Sequence, residues 1–333
     1  MDNFVRQLLA GIPAEYNQAL MVLVPVTGAL VLGVLLLRWV KRRQRTARNF
    51  RSRRQANDLR IREQTYSDAE HEIEKNILPA LTKKSGGIVI EMIHDTDFDA
   101  YFREAAPHHI SFDEAFEIIR RIEAAPKANI YLVLHTLGGY SMPSIMIADA
   151  IRQHRKGGGR VTAFVPRVAM SGGTIAALAS DCVYMGNLAR LGPIDTMYAG
   201  FSGQALRELD ERKTTDRQED ENILLSIEAA KYDLFYLNEL KRLLDTHELD
   251  EKIYDGSLSH SNLFNRDDAE SYGIRVVPRK SALAGKSERK TTQLSETLKD
   301  HAKLATQLVD ARLRMIKNHE KRDEEKEAAS KAA

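Results

Sequence analysis

Four short apolar runs with helical spacing between them constrain this chain more than any other feature. They read GIVIEMI (87–93), NIYLVLH (129–135), RVTAFVP (160–166) and CVYMG (182–186). All four are brief and β-branched, which predicts buried strands. SFDEAFEIIRRIEAA follows the first run, with Ser111 and Glu114 at capping-box spacing and apolar residues every three or four positions. SMPSIMIADAIRQH follows the second, with Ser141 as a cap and Pro143 in the first turn. Strand and helix in alternation predict right-handed βαβ units around a mostly parallel sheet, an α/β fold.

Outside that block the chain changes character. Leu20 to Leu37 is eighteen residues without a charge, just long enough to span a bilayer as a helix. Only Arg6 precedes it as a basic residue, whereas nine of the seventeen residues from Arg38 to Arg54 are Lys or Arg. A cleaved signal peptide has the reverse polarity, so the segment reads as a retained anchor over 20–40. The positive-inside rule places the basic flank and all that follows in the cytoplasm, and residues 1–19 outside, as in a single-pass protein of the inner or cell membrane. Residues 41–86 are expected to form a basic, helical stalk and 87–278 the compact domain. Residues 222–245 form an amphipathic helix within that domain, and 279–333 a charged helical tail, partly disordered. A net charge of +2 with both signs abundant gives no reason to expect a nucleic-acid partner. The single cysteine, Cys182, excludes an internal disulfide and is expected to pack as a small apolar residue. His94, His108 and His109 lack companions at metal-ligand spacing, so neither a metal nor another cofactor is expected.

Two glycine pairs stand just beyond predicted strands: Thr136-Leu137-Gly138-Gly139, and Ser171-Gly172-Gly173-Thr174, which opens the apolar stretch TIAALAS. Ligands of open parallel sheets gather at the carboxyl ends of strands, so both pairs should face one crevice. A serine there has its oxygen beside unpaired backbone N–H groups, and glycines let amides turn toward a ligand. This pattern suits acyl transfer. Ser171 would be the nucleophile, and amides from the 138–139 turn and Gly172 would form an oxyanion hole. Structural turns and phosphate binding fit the same glycines taken singly.

The segments LHTLGGYSMPSIMIADAIRQH, VTAFVPRVAMSGGTIAALASD, LGPID and DDAESYGIRV resemble the serine dehydrogenase proteinase family. That family belongs to the ClpP–crotonase superfamily and is related to signal peptide peptidase A. The resemblance runs from about Gly87 to Val277 and implies a ClpP-like spiral of ββα units, proteinase activity on peptide or protein substrates, and homo-oligomerisation. It places Ser171 at the nucleophile, Gly138 and Gly139 at the oxyanion-loop pair, and Gly172 at the donor after the serine. The histidine of a ClpP triad has no counterpart, because GNLARLGPIDTMY contains none and the next histidine after Ser171 is His247. Relatives of signal peptide peptidase A use a Ser-Lys dyad, and Lys213 lies 42 residues after Ser171. Its neighbours Glu211, Arg212 and Asp216 also suit a solvated lysine. Lys231 and His260 are lesser candidates for the base. His135, Asp181 and Asp195 are read as structural. A crotonase-type acyl-CoA enzyme and a catalytically silent membrane scaffold remain as rival readings of the same fold.

Overall fold

The computed structural model describes Gly33 and residues 36–43, 60–61, 64–96, 109–198, 201–212, 220–244, 249–277 and 298–317. The chain divides into two units, Met1–Gln64 and Thr65–Ala333. The described residues of the first unit are helical, and the Arg43 guanidinium lies 5.0 Å from the centre of the Trp39 ring. Among the described residues no helix is long and apolar enough to cross a membrane. All of the expected anchor's apolar run except Gly33, Leu36 and Leu37 lies outside them.

The second unit is built on a parallel sheet. β1 (Ile88–Ile93), β2 (Asn129–His135), β3 (Arg160–Val165), β5 (Cys182–Met185) and β7 (Val276–Val277) lie side by side in that order. Every neighbouring pair runs parallel. Nearly every residue of β2 and β3 after the first is buried or half-buried, because helices cover both faces. One face carries α2 (Phe112–Glu123), α3 (Ser141–Lys156) and α4 (Gly172–Leu178). Ser111 caps α2 as its sequence predicts, accepting from the Glu114 amide.

Beyond the ends of the main strands the chain forms a second layer. β4 (Val168–Ala169) pairs in parallel with β6 (Arg190–Leu191), and bridges join Thr136 to Ala169 and Ile110 to Gly139. A main-sheet strand, a short second-layer segment and a helix therefore recur, as in β3, β4 and α4. This is the expected ββα unit. Asp181 ties the end of α3 to the start of β3: its carboxylate accepts from the Arg155 guanidinium at 2.9 Å and from the Val161 amide at 2.8 Å. That is the structural role read for Asp181.

Two boundaries differ from those the sequence implies. The compact unit begins at Thr65, not 87, because Ala69, Ile73, Ile77 and Leu81 form a buried stripe at every fourth residue. The helical residues carrying it run through a π-helical turn, Glu72–Ile77, into α1 (Leu78–Ser85). Nor is the C-terminal segment wholly a solvated tail. Residues 298–317 are helical and bury Leu298, Ala305, Leu308, Val309, Ala311 and Met315 against Val89, Val133 and Phe164 on the sheet's other face. His301 stacks on Tyr131 at 5.4 Å, and Arg312 makes a two-pronged pair with Glu91 at 2.7 and 3.1 Å. Charges on the outer face hid this amphipathic pattern. Leu308→Ala is expected to lower the stability of the unit by about 2–5 kcal/mol in urea unfolding, against about 0.5 kcal/mol or less for a residue on a solvated tail.

Candidate active site

Ser171 stands where β4 must reverse into α4 within two residues, Met170 and Ser171. Its backbone takes φ 50° and ψ −118°, a left-handed conformation that side chains rarely adopt. The surrounding main chain enforces it. β4 is pinned by Thr136 N–H to Val168 C=O at 3.1 Å and Met170 N–H to Thr136 C=O at 3.0 Å, and Gly173 N–H closes the turn on Met170 C=O at 2.8 Å. Such a conformation costs about 1–3 kcal/mol and persists only where its surroundings over-determine it. All seven residues of α4 are buried. A side chain at Gly172 would place its Cβ 2.1 Å from Ser144 Oγ, and one at Gly173 would meet Thr136 Cγ2 at 2.5 Å. The glycines after Ser171 thus let α4 lie against α3 and the end of β2.

The other glycine pair closes over the serine. Gly138 has φ +109°, and an added Cβ would lie 2.7 Å from Ser171 Cβ and 3.2 Å from the Gly172 nitrogen. Only glycine fits so close. The Gly138 N–H does not face an acyl group, since it donates to Thr136 Oγ1 at 3.0 Å. Gly138 C=O accepts from the Ile110 N–H at 2.9 Å. In a trans peptide the carbonyl and the following N–H point in opposite directions, so the Gly139 N–H is turned away from Ile110. Neither the Gly139 amide nor the Gly172 amide, at the first position of α4, has a hydrogen-bond partner among the described residues. Gly139 and Gly172 are therefore the candidate donors, and Gly138 supplies close approach instead. This refines the expectation that placed Gly138 in the oxyanion hole.

Ser171 is half-buried and opens with Gly139 onto a cleft of about 550 Å³, lined also by Met142, Asp195, Tyr232 and His260. His260 is half-buried, its Nδ1 has no partner among the described residues, and burial lowers its pKa below the usual 6.5. Asp195, which sequence read as structural, is buried at the margin of the same cleft. Lys213 lies outside the described residues. Lys231 is exposed and pairs with Glu228 at 2.7 Å, a solvated ion pair instead of a buried base. His135 is buried, with Nε2 3.3 Å from Thr96 Oγ1, and burial, followed by the Arg167 charge, pulls its pKa down to about 4. It is neutral at physiological pH. Cys182 is buried and its thiol is pushed up by burial, as a packing residue should be. Among the described residues, no three His, Cys, Asp or Glu side chains group as a metal site would require.

The fold and this serine-centred cleft define a class, and comparison with known proteins gives the family. The model of the ClpP-like SDH-type serine proteinases matches residues 59–280, which is 222 of 333 residues. The chain belongs to that family and is a serine peptidase. It is 31% identical over 208 residues to the uncharacterized protein MJ0137 of Methanocaldococcus jannaschii, covering 60% of this chain and 72% of the relative. Among solved structures it is similar to the 1510-N membrane-bound stomatin-specific protease, at 19% identity and TM-score 0.34 over 50% of this chain and 74% of that one. ClpP1 from Listeria monocytogenes matches at 12% identity and TM-score 0.37, over 62% of this chain and 98% of that one.

Gly138→Ala forces the loop away from Ser171 and is expected to slow fluorophosphonate labelling of Ser171 by about 10²-fold, the scale of losing the Gly139 donor, with thermal melting as the check on folding. Labelling of Gly138→Ala at the wild-type rate would show that the loop does not govern the serine.

Proposed function

We propose that Ser171 is the nucleophile of this peptidase and that Gly139 and Gly172 bind the oxyanion. The Ser171 oxygen bonds to the carbonyl carbon of a peptide, and the negative charge that builds on the carbonyl oxygen is met by the two amides. The peptide C–N bond then breaks, the amine leaves with a proton, and water releases the acyl group from Ser171. The observation carrying this reading is the left-handed turn at Ser171, opening with Gly139 onto one cleft while two neighbouring amides remain without partners among the described residues.

Lys213 is proposed to take the proton from Ser171 and deliver it to the leaving amine, in a Ser-Lys dyad. Its support is the 42-residue spacing from the serine. His260 is a second reading for the base, favoured by its place in the Ser171 cleft. The two predict different pH profiles. A base works when unprotonated, so activity rises with pH through the base's pKa in either case. For a lysine tuned for catalysis the rise centres at about 7–8. For His260 it centres below 6.5, because burial depresses that group.

The anchor over residues 20–40 is proposed to hold the catalytic unit at the inner or cell membrane, on the cytoplasmic side. The uncharged eighteen-residue run and the basic residues that follow it support this. Peptide or protein substrates and a homo-oligomeric assembly are proposed by analogy with ClpP-like proteases.

A fluorophosphonate probe should label the wild-type chain and not Ser171→Ala; equal labelling would overturn the nucleophile assignment. Lys213→Ala should abolish peptide hydrolysis and His260→Ala should leave most of it, with the reverse result assigning the base to His260. After carbonate extraction the full chain should stay in the membrane pellet, and its recovery in the supernatant would remove the anchor.

A further inference from the structure

A second set of contacts reaches the oxyanion loop from behind. β1 and β2 pair so that Ile93 lies opposite His135, which brings His94 beside Thr136 at the sheet's carboxyl edge. Both are buried, His94 at 2% and Thr136 at 0% exposure. His94 Nδ1 lies 2.7 Å from Thr136 Oγ1, and His94 Nε2 lies 3.0 Å from each oxygen of the Glu114 carboxylate. Thr136 Oγ1 in turn accepts the Gly138 N–H at 3.0 Å. Glu114 belongs to the first turn of α2, four residues after Ile110. Ile110 is the residue whose N–H holds Gly138 C=O and whose C=O accepts the Tyr140 N–H at 3.0 Å. The contacts close into a ring: Glu114, His94, Thr136, Gly138, Ile110 and back through α2 to Glu114.

The protons in this ring can be assigned. A carboxylate only accepts, so His94 Nε2 carries hydrogen. With a neutral ring, Nδ1 accepts from the Thr136 hydroxyl. With a charged ring, Nδ1 donates to Thr136 Oγ1, and the hydroxyl hydrogen turns to Gly138 C=O, 3.4 Å away. In both states Thr136 Oγ1 keeps a lone pair for the Gly138 N–H. One side of the Gly138 residue is thus held through its N–H by Thr136 and the other through its C=O by Ile110, which leaves the 138–139 peptide a single orientation.

We propose that Glu114, His94 and Thr136 are positioning residues that hold the oxyanion loop so that the Gly139 N–H faces the acyl oxygen bound at Ser171. The proposal rests on the serine-peptidase reading with Gly139 as a donor. These residues touch no substrate; they act through Gly138. Removing the Thr136 hydroxyl frees the Gly138 amide to turn, and the amide of Gly139 then loses its aim without any change at Ser171 itself.

The test uses the full-length chain and a fluorescent fluorophosphonate, whose phosphonyl oxygen needs the same donors as an acyl oxyanion. The maximal labelling rate and the half-saturating probe concentration are measured separately, with thermal melting as a check on folding. Thr136→Val, which has the same shape without the hydroxyl, should lower the maximal rate by about 10- to 100-fold, below or near the loss of a whole donor, with half-saturation unchanged. Thr136→Ser keeps the hydroxyl and should label near the wild-type rate. Folded Thr136→Val labelling as fast as wild type would overturn the proposal. Should Thr136→Val fail to fold, Glu114→Ala and Glu114→Gln take its place: the alanine variant should be slow and the glutamine variant, which still accepts from His94 Nε2, should recover. Equal rates for Glu114→Ala and wild type would overturn it too. Failure of the wild-type chain to label would instead sink the serine-nucleophile reading on which it rests.

Discussion

The hydrogen bond from the Ile110 N–H to the Gly138 carbonyl, 2.9 Å long, is the contact on which the site depends. A peptide unit is planar and trans, so fixing its carbonyl fixes the opposite direction of its N–H. If that bond were lost, the unit could rotate, and the direction in which the Gly139 N–H points would be set by chance. Much of the architecture serves to keep Ile110 in place. It lies just before the Ser111 cap of α2, and its C=O is held by Tyr140 at the start of α3. Gly139 approaches it so closely that an added Cβ would come within 2.3 Å of the Ile110 nitrogen.

Strain and packing act together at the other half of the site. The left-handed backbone of Ser171 lifts its side chain out of the turn, and the buried seven-residue helix behind it holds that turn from relaxing. Thr136 is common to both halves. Its main chain pairs with Val168 and Met170 beside the serine, while its side chain accepts from Gly138 in the opposite loop. Ser171 and the 138–139 loop are therefore registered through one buried residue. A similar economy holds at Thr174, whose hydroxyl lies 2.9 Å from both Ala169 C=O and Gly192 C=O and so ties β4 to the chain leaving β6.

The core strands and the two glycine pairs were legible because their signals are local. A β-branched apolar run and a Gly-Gly step keep their meaning wherever the chain goes next. His260 and Asp195 were harder to place, since they meet in the Ser171 cleft only through the fold. The His94–Thr136 contact spans 42 residues and follows from the register of β1 on β2, which no spacing in the chain announces. The same holds for residues 298–317, whose buried face is diluted among charges that read as a tail until the sheet they cover is known. Local patterns thus disclosed the catalytic serine candidate and the strand scaffold; long-range contacts decided which glycine amide is free and what holds it.

The most direct measurement is a crystal structure of the chain with Ser171 phosphonylated. The account predicts the phosphonyl oxygen at about 2.7–3.1 Å from both the Gly139 and the Gly172 nitrogens, with the Ile110–Gly138 hydrogen bond intact. An adduct whose oxygen points to solvent, or a 138–139 peptide turned so that its carbonyl faces the phosphorus, would contradict it.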